Sequence, residues 1–357
     1  MSEKILTIIV PSYNMEAYLD RCLGSLIVPQ ELLDSLEVIV VNDGSTDRTS
    51  EIAHQYASRY PKTFRVIDKP NGHYGSCVNA GLAISTGEYI RVLDADDHYV
   101  PDVFSRYLQT IREFVQNDPP DVIINDSCAV DPEGATLYTT TYDLPRDCAL
   151  SVSDLGDRDF GINVLAFRSL AVKGWGYRQT EGCAYTDTEW FTLPFMRVRS
   201  ARYLHLCFAC ALHGRVGQTM EQRTFARGYG TVADVVLRIA ERFARGCDGA
   251  SSESMSYVAR RITRLVQNVY ITCAIGCNGY RVNCDVGRFD SELRRTTVKI
   301  YGQVDGKVKL RFLPFTIDVV PIIRSRGDAD ALRFKMIRCA YRAIHLGALI
   351  KRKLMGH

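Results

Sequence analysis

The sequence predicts an α/β protein: a mostly parallel sheet with helices on both faces over residues 1–220, followed by a mostly helical region over 221–357. Three observations carry this reading. In the first half, short runs that are apolar throughout alternate with helical periodicity, and strands apolar on both faces are those of a parallel sheet covered on both sides. Three of the runs end in polar clusters, at the carboxyl ends where such sheets hold ligands. From about Glu221 the apolar spacing becomes long and helical.

The elements follow in order. Apolar runs at 5–10, 37–41, 64–67, 88–93 and 121–125 predict strands, and the spacing between them predicts helices near 16–26, 47–60, 76–85 and 102–115. Pro101 suits the first turn of the last helix, with Asp97 or Asp102 as its cap. Residues 126–185 lose the rhythm to Pro, Gly and Asp, with a short strand at 136–142, and a helix resumes near Asp187. Helices are then expected at 231–245 and 255–275, separated by a loop at 246–252.

The 357 residues are 46% hydrophobic and 24% charged, which excludes a collagen, a disordered chain or a disulfide mini-scaffold. With 44 basic and 41 acidic residues the formal charge is +3, too small to signal nucleic-acid binding. The excess lies in residues 331–357, which hold seven basic side chains and no acid, leaving 37 basic against 41 acidic elsewhere. No stretch reaches the roughly 18 apolar residues of a membrane span, and the opening MSEKILTIIV runs into Pro11 without the pattern of an export signal. A cytoplasmic chain is expected, its twelve cysteines mostly reduced thiols. Cys207 and Cys210 lie inside the apolar run 204–212 and read as part of a packed strand before a zinc or redox site.

The polar clusters are Pro11-Ser12-Tyr13-Asn14, Asn42-Asp43-Gly44-Ser45-Thr46-Asp47 and Asp94-Ala95-Asp96-Asp97. Three carboxylates within four residues repel one another unless a cation offsets them, and an all-oxygen set suits Mg or Mn bridging to substrate phosphates. The same residues could equally form a solvated turn before a helix. In the second cluster Gly44 could supply a turn and Ser45 or Thr46 a helix cap, or Asp43 could accept hydrogen bonds from a base or ribose. Asn71-Gly72-His73-Tyr74-Gly75 followed by Asn79-Ala80-Gly81 allows a flexible turn and a helix start.

Taken together and in this order, the segments resemble the family 2 glycosyltransferases, enzymes with a GT-A fold. The resemblance rests on Ile8-Ile9-Val10-Pro11-Ser12-Tyr13-Asn14 with Glu16 and Leu19, Val40-Val41-Asn42-Asp43-Gly44-Ser45-Thr46-Asp47, Lys69-Pro70-Asn71-Gly72, Asn79-Ala80-Gly81, and Gly87-Glu88-Tyr89-Ile90 running into Leu93-Asp94-Ala95-Asp96-Asp97. It is dense over about 4–100 and thinner to about 220. It implies a Rossmann-like nucleotide-diphospho-sugar transferase sheet, with the donor held by Pro11, Tyr13, Asn14, Glu16, Asp43, Asn71, Gly72, Asn79, Asp94, Ala95 and Asp96. Asp94 and Asp96 resemble the family's Asp-x-Asp pair, ligating Mg or Mn on the diphosphate, and a UDP-sugar is the donor most often used.

Inversion by direct displacement needs a carboxylate to take the acceptor proton. Tyr185-Thr186-Asp187-Thr188-Glu189-Trp190 lies where the family places an acidic pair at a helix start, with Thr186 in place of the usual first acid, and this turns attention to Asp187. Thr186-x-x-Glu189 also reads as a capping box, which would leave Asp187 free at the first helical position, where the helix dipole favours the ionised form. Trp175 between glycines could be an acceptor platform or a buried plug. His213 and Arg215, in a segment resembling one that follows the last core strand in related sequences, could pair with the diphosphate.

In the tail, Lys335, Arg338, Arg342 and His345 recur on one side of a helix and Ile337, Tyr341, Ile344 and Ala348 on another. Such a helix could contact an anionic membrane at the inner face of the cell membrane, or pack on the rest of the chain. The function expected is transfer of a sugar from a nucleotide-sugar donor to a hydroxyl of a glycan or lipid-linked glycan. The alternatives are a nucleotidyltransferase, which Pro11-Ser12-Tyr13-Asn14 in place of a Gly-rich triphosphate loop disfavours, and a non-catalytic glycan-binding subunit.

Overall fold

The computed structural model describes residues 4–146, 148–215, 217–218, 221–277, 280–312 and 315–324. The amphipathic tail expected at 331–357 lies outside them.

The chain begins with β1 (Leu6–Ser12), α1 (Leu19–Gly24), α2 (Gln30–Leu33), β2 (Leu36–Asn42), α3 (Thr49–Arg59), β3 (Phe64–Asp68), α4 (His73–Ile84) and β4 (Tyr89–Val92). It continues with β5 (His98–Tyr99), α5 (Pro101–Gln116), β6 (Val122–Val130), β7 (Thr136–Thr140), β8 (Leu150–Ser151), β9 (Leu165–Arg168), α6 (Ser169–Lys173), α7 (Asp187–Trp190) and β10 (Ser200–Leu212). After these come α8 (Gln222–Arg245), α9 (Ser252–Ile275), α10 (Val286–Thr296), α11 (Val298–Gln303), β11 (Lys309–Phe312), β12 (Phe315–Asp318) and α12 (Val319–Arg324). Two compact units emerge: Met1–Val216 with Gly246–Val258, and Gly217–Arg245 with the chain from Ala259 onward.

The first unit is built on one sheet in the order β3-β2-β1-β4-β9-β6-β10-β5, with β7 beside β6 and β8 beside β10. β3, β2, β1 and β4 are mutually parallel, as are β6 and β10. β9 enters antiparallel between β4 and β6, so the sheet is mixed and, as expected, mostly parallel. β1 and β2 are buried at every position, as strands apolar on both faces must be. β3, outermost in the order, keeps part of its surface open.

On α5 the buried residues Phe104, Tyr107, Leu108 and Ile111 recur at helical spacing. They share a core with Ile8 and Val10 of β1, Val38 and Val40 of β2 and Leu19 and Leu23 of α1. Gly81 lets α4 lie close on β1, since a Cβ there would meet Ile9 Cγ2 at 2.6 Å. In β4, Arg91 is fully buried without a carboxylate. Its guanidinium donates to Tyr107 Oη at 3.0 Å, Asn125 Oδ1 at 2.8 Å and Asn163 O at 2.7 Å, and lies 4.9 Å from the Phe208 ring centre.

The second unit is mostly helical with the β11–β12 hairpin. Its buried Asp290 accepts from Tyr270 Oη at 2.6 Å and Arg324 Nε at 3.0 Å, and Arg324 stacks 3.6 Å from the Tyr301 ring centre. No helix among the described residues is long and apolar enough to cross a membrane.

Candidate active site at the carboxyl ends of the strands

Register brings the polar clusters to one edge. Ser12 pairs with Asn42 and Asn42 with Asp68, while the amide of Leu93, just past β4, donates to Ile9 O at 2.9 Å. Residues 12–16, 43–47, 69–72 and 94–97 therefore leave the sheet on the same side.

Near the end of β1 Pro11 is buried, and in the loop that follows Tyr13 is 46% exposed. Asn14 has φ 53°, and its Oδ1 accepts the Thr46 amide at 2.9 Å. Glu16 Oε2 accepts the Arg48 amide at 3.0 Å. These two side chains tie the first loop to the second. The start of α3 is served by Asp47, whose Oδ1 accepts the Thr49 amide at 3.0 Å. Neither Ser45 nor Thr46 caps it, because Arg48 holds the cap position, with no side-chain cap bond.

Asp43 is buried at the end of β2. Its Oδ1 accepts the Gly72 amide at 2.9 Å and Lys69 Nζ at 2.5 Å. Gly72 is required here, because a Cβ would meet Ser76 Oγ at 2.7 Å. Asn71 is exposed beside it. Gly44 has φ +75°, and a Cβ there would meet the Asn71 amide nitrogen at 3.0 Å.

The carboxylate cluster is not a solvated turn: Ala95, Asp96 and Asp97 are all buried, at 2%, 9% and 8% exposure. α1 holds its backbone, Arg21 Nη2 donating to Asp96 O at 3.3 Å. Asp97 does not cap α5, whose cap position is Val100 with Pro101 at the first position as expected. Instead Asp97 Oδ1 accepts the Leu212 amide at 2.8 Å, fastening the cluster to the end of β10. Asp94 Oδ1 accepts from Tyr74 Oη at 2.8 Å, and Asp96 Oδ2 pairs with Arg215 Nε at 2.6 Å. Arg215 also lies 5.4 Å from the Tyr18 ring centre.

Burial first, and then the charge of Asp96, pushes the Asp94 carboxyl up to about 7. Burial with the charges of Asp94 and Asp96 raises Asp97 well above the usual range. Crowded oxygen donors held in this way fit a hard divalent cation, which would offset the mutual repulsion. Among the described residues no three His, Cys, Asp or Glu side chains converge into a preformed cage, so further ligands would come from a phosphate-bearing substrate.

Asp187 is the first residue of α7, after Tyr185 at φ 65° and Thr186 at the cap position. No capping box forms. Thr186 Oγ1 accepts from Gln179 Nε2 at 3.1 Å, and buried Glu189 accepts the Thr180 amide at 2.7 Å and the Thr180 hydroxyl at 2.6 Å. Both side chains are taken by the 179–180 segment. The environment expected to favour ionised Asp187 is also reversed. Burial raises its carboxyl, with the amides of Thr188 and Asp187 only partly restoring it, because a four-residue helix offers little dipole. The Asp187 charge in turn raises both Asp94 and Tyr74, so this residue lies within electrostatic reach of the cluster after β4.

Other expected site residues have structural partners. Asn79 Oδ1 accepts the Gln179 amide at 2.8 Å, and its Nδ2 donates to Gln179 O and Glu181 Oε1, both at 2.8 Å. His213 is exposed and meets the Tyr138 ring edge-on at 5.8 Å between centres, while Arg215 alone of that pair reaches the cluster. Trp175 is half-buried and donates to Ala171 O at 2.9 Å. Cys207 and Cys210 lie in β10, with Cys210 Sγ 3.0 Å from Cys128 Sγ. Tyr74 and the roles of Lys69 and Gln179 had no sequence signal of their own. Lys69 and Tyr74 stand in the segments quoted around Asn71-Gly72, which could have pointed to those two, whereas nothing local pointed to Gln179.

Residues 7–125 match the family described as Glycosyl transferase family 2. Chondroitin synthase of Pasteurella multocida is 34% identical over 142 residues, which are 40% of this chain and 14% of that protein. The chain spans about a third of the length of the first curated relatives it matches. In fold it is similar to S. aureus TarS 1-349 in complex with UDP-GlcNAc, with TM-score 0.64 and 17% identity over 95% of this chain and 92% of that one. It is also similar to the mannosyltransferase PcManGT of Pyrobaculum calidifontis in complex with GDP-Man and Mn2+, with TM-score 0.51 and 15% identity over 96% and 86%. The sheet order, the clusters at its carboxyl edge and these matches agree: residues 7–125 of this chain are similar to glycosyl transferase family 2.

Proposed function

We propose that the protein is an inverting glycosyltransferase that moves a sugar from a nucleotide-sugar donor, a UDP-sugar, to a hydroxyl of a glycan or lipid-linked glycan in surface polysaccharide synthesis. The observation that carries this is the carboxylate cluster of Asp94 and Asp96, held by Tyr74 and Arg215 at the strand edge where Asp43 also lies, with Asp187 within electrostatic reach of it. The UDP-GlcNAc in the TarS complex supports the choice of donor, and the chondroitin synthase relative supports a glycan acceptor.

In this reading residues 1–220 form the catalytic domain, with 221–357 the helical region whose basic tail contacts the inner face of the membrane. Pro11, Tyr13 and Asp43 face the base and ribose, while Asn14, Glu16, Asn71, Gly72 and Asn79 shape the loops around them. Asp94 and Asp96 would hold Mg or Mn, which when bound offsets charge on the departing diphosphate. Arg215 then turns from Asp96 to the diphosphate oxygens, with His213 at the rim. Asp187 takes the proton of the acceptor hydroxyl as that oxygen attacks the anomeric carbon from the face opposite the diphosphate. Its raised carboxyl makes it a stronger base once ionised.

The test pairs two variants with a donor-binding titration and a transfer assay. Asp96→Ala should abolish metal-dependent binding of the nucleotide diphosphate. Asp187→Asn should leave donor binding within about twofold and lower transfer by about 10²–10⁴-fold. Normal turnover by Asp187→Asn removes it from the role of base.

A further inference from the structure

Lys69 makes three hydrogen bonds, one for each proton of its ammonium. They go to Asp43 Oδ1 at 2.5 Å, Pro70 O at 2.7 Å and Ser76 Oγ at 2.8 Å. The side chain is one-fifth exposed and that of Asp43 one-twentieth. A lysine at the mouth of a nucleotide site is ordinarily read as a phosphate ligand, but this one has no proton left to give. It links the ends of three elements: β3, from which it leaves, β2 through Asp43, and the first turn of α4 through Ser76.

The Gly72 amide joins Lys69 on Oδ1, at 2.9 Å. Both donors thus take the same carboxylate oxygen, Oδ1, and the Cys77 thiol also hydrogen-bonds this carboxylate. A carboxylate fixed through one oxygen presents the other as a pure acceptor in a set direction. Of the pyrimidine bases, uracil and thymine carry an imide N–H at position 3 that can donate to such an oxygen, whereas position 3 of cytosine is a lone pair that repels it.

We propose that Lys69 is a positioning residue for base selection: by holding Asp43 Oδ1 it aims Oδ2 at an imide N–H, so that the site takes uracil or thymine nucleotides over cytosine ones. This rests on the reading that Asp43 faces the base. Lys69 itself touches no ligand in this scheme, and its effect is on binding of the donor, not on the transfer step.

The experiment is calorimetric titration of the full chain with UDP and with CDP, each with Mn. Comparing the two nucleotides cancels effects on the diphosphate and on stability, which a merely structural lysine would move equally. The wild type should bind UDP at least tenfold more tightly than CDP. Lys69→Met removes all three donors at similar length and should weaken UDP about tenfold with CDP little changed, collapsing the ratio. Ser76→Ala, which removes one acceptor and disturbs the fold less, should shift the ratio the same way by a few-fold. In a transfer assay KM for the donor should rise with kcat nearly constant.

Equal weakening of UDP and CDP in Lys69→Met, or an unchanged ratio in Ser76→Ala should Lys69→Met not fold, overturns the proposal. Asp43→Asn separates the two levels. If it leaves the UDP to CDP ratio intact, Asp43 does not face the base and the underlying reading fails. If it abolishes the ratio while the Lys69 and Ser76 variants keep it, this inference alone fails.

Discussion

Replacing Asp94 by Asn should make the metal-free protein more stable at pH 8 and leave it unchanged near pH 4. Asp94 is held at about 7 in the fold, by burial and by Asp96, against about 3.9 in an unfolded chain. The folded state therefore binds more protons than the unfolded state between those values. A carboxyl raised on folding contributes no penalty below about pH 4, and its penalty grows as pH rises to about 7 and is constant above. Three pH units at about 1.4 kcal/mol each set the ceiling near 4 kcal/mol, reached only when the charge of Asp96 stays in place. The Asn side chain keeps an oxygen for the Tyr74 hydroxyl, so that bond need not be lost. Denaturant unfolding of wild type and Asp94→Asn in chelator, at pH 4, 6 and 8, reads the difference directly. Added Mn should stabilise the wild type at pH 8 and not the variant. A difference between the two proteins that does not grow from pH 4 to pH 8 would refute the argument that the cluster is strained by uncompensated charge.

Three more outcomes can be checked. Because burial raises the Asp187 carboxyl, and only the ionised form can accept a proton, the transfer rate should fall as pH drops through a midpoint above the ordinary carboxylate range; a kcat profile flat down to pH 4 would exclude this. Arg91→Ala should cost about 3–5 kcal/mol in denaturant unfolding, since it opens a cavity beside Phe208 and leaves Asn125 Oδ1 and Tyr107 Oη without their buried donor. Gly75→Ala would drive a Cβ into the carbonyl of Thr180, and overpacking of this kind costs about 1–3 kcal/mol. Because Thr180 is the partner of Glu189 on α7, the same change should lower transfer more than donor binding.

Most of the scaffold was legible in the sequence because parallel strands buried on both faces write themselves as apolar runs, and their carboxyl ends as the polar residues that follow. The positions of Asp43, Asp94 and Asp96 at one edge follow from that rule and from register. Helix starts were less legible. α3 begins at Thr49 and α5 at Pro101, and neither carries a side-chain cap bond, while Ser45 and Asp97, expected as caps from local pattern, accept the amides of Asn14 and Leu212 instead. The Thr186 and Glu189 pattern is that of a capping box, yet the 179–180 segment offered better partners for both side chains, and nothing within four residues could have announced it.

What the sequence determined by itself is the alternation that builds the sheet, the clusters at its edge and the family resemblance over residues 7–125. Those are properties of short windows and their order. Tertiary structure alone decided that β9 enters antiparallel, that Tyr74 reaches Asp94, that Lys69 spends every proton on Asp43 and its neighbours, and that burial outweighs the helix end at Asp187. Each of these depends on which groups meet across tens of residues and how much water they exclude, and desolvation is a property of the packed interior that no local spacing records.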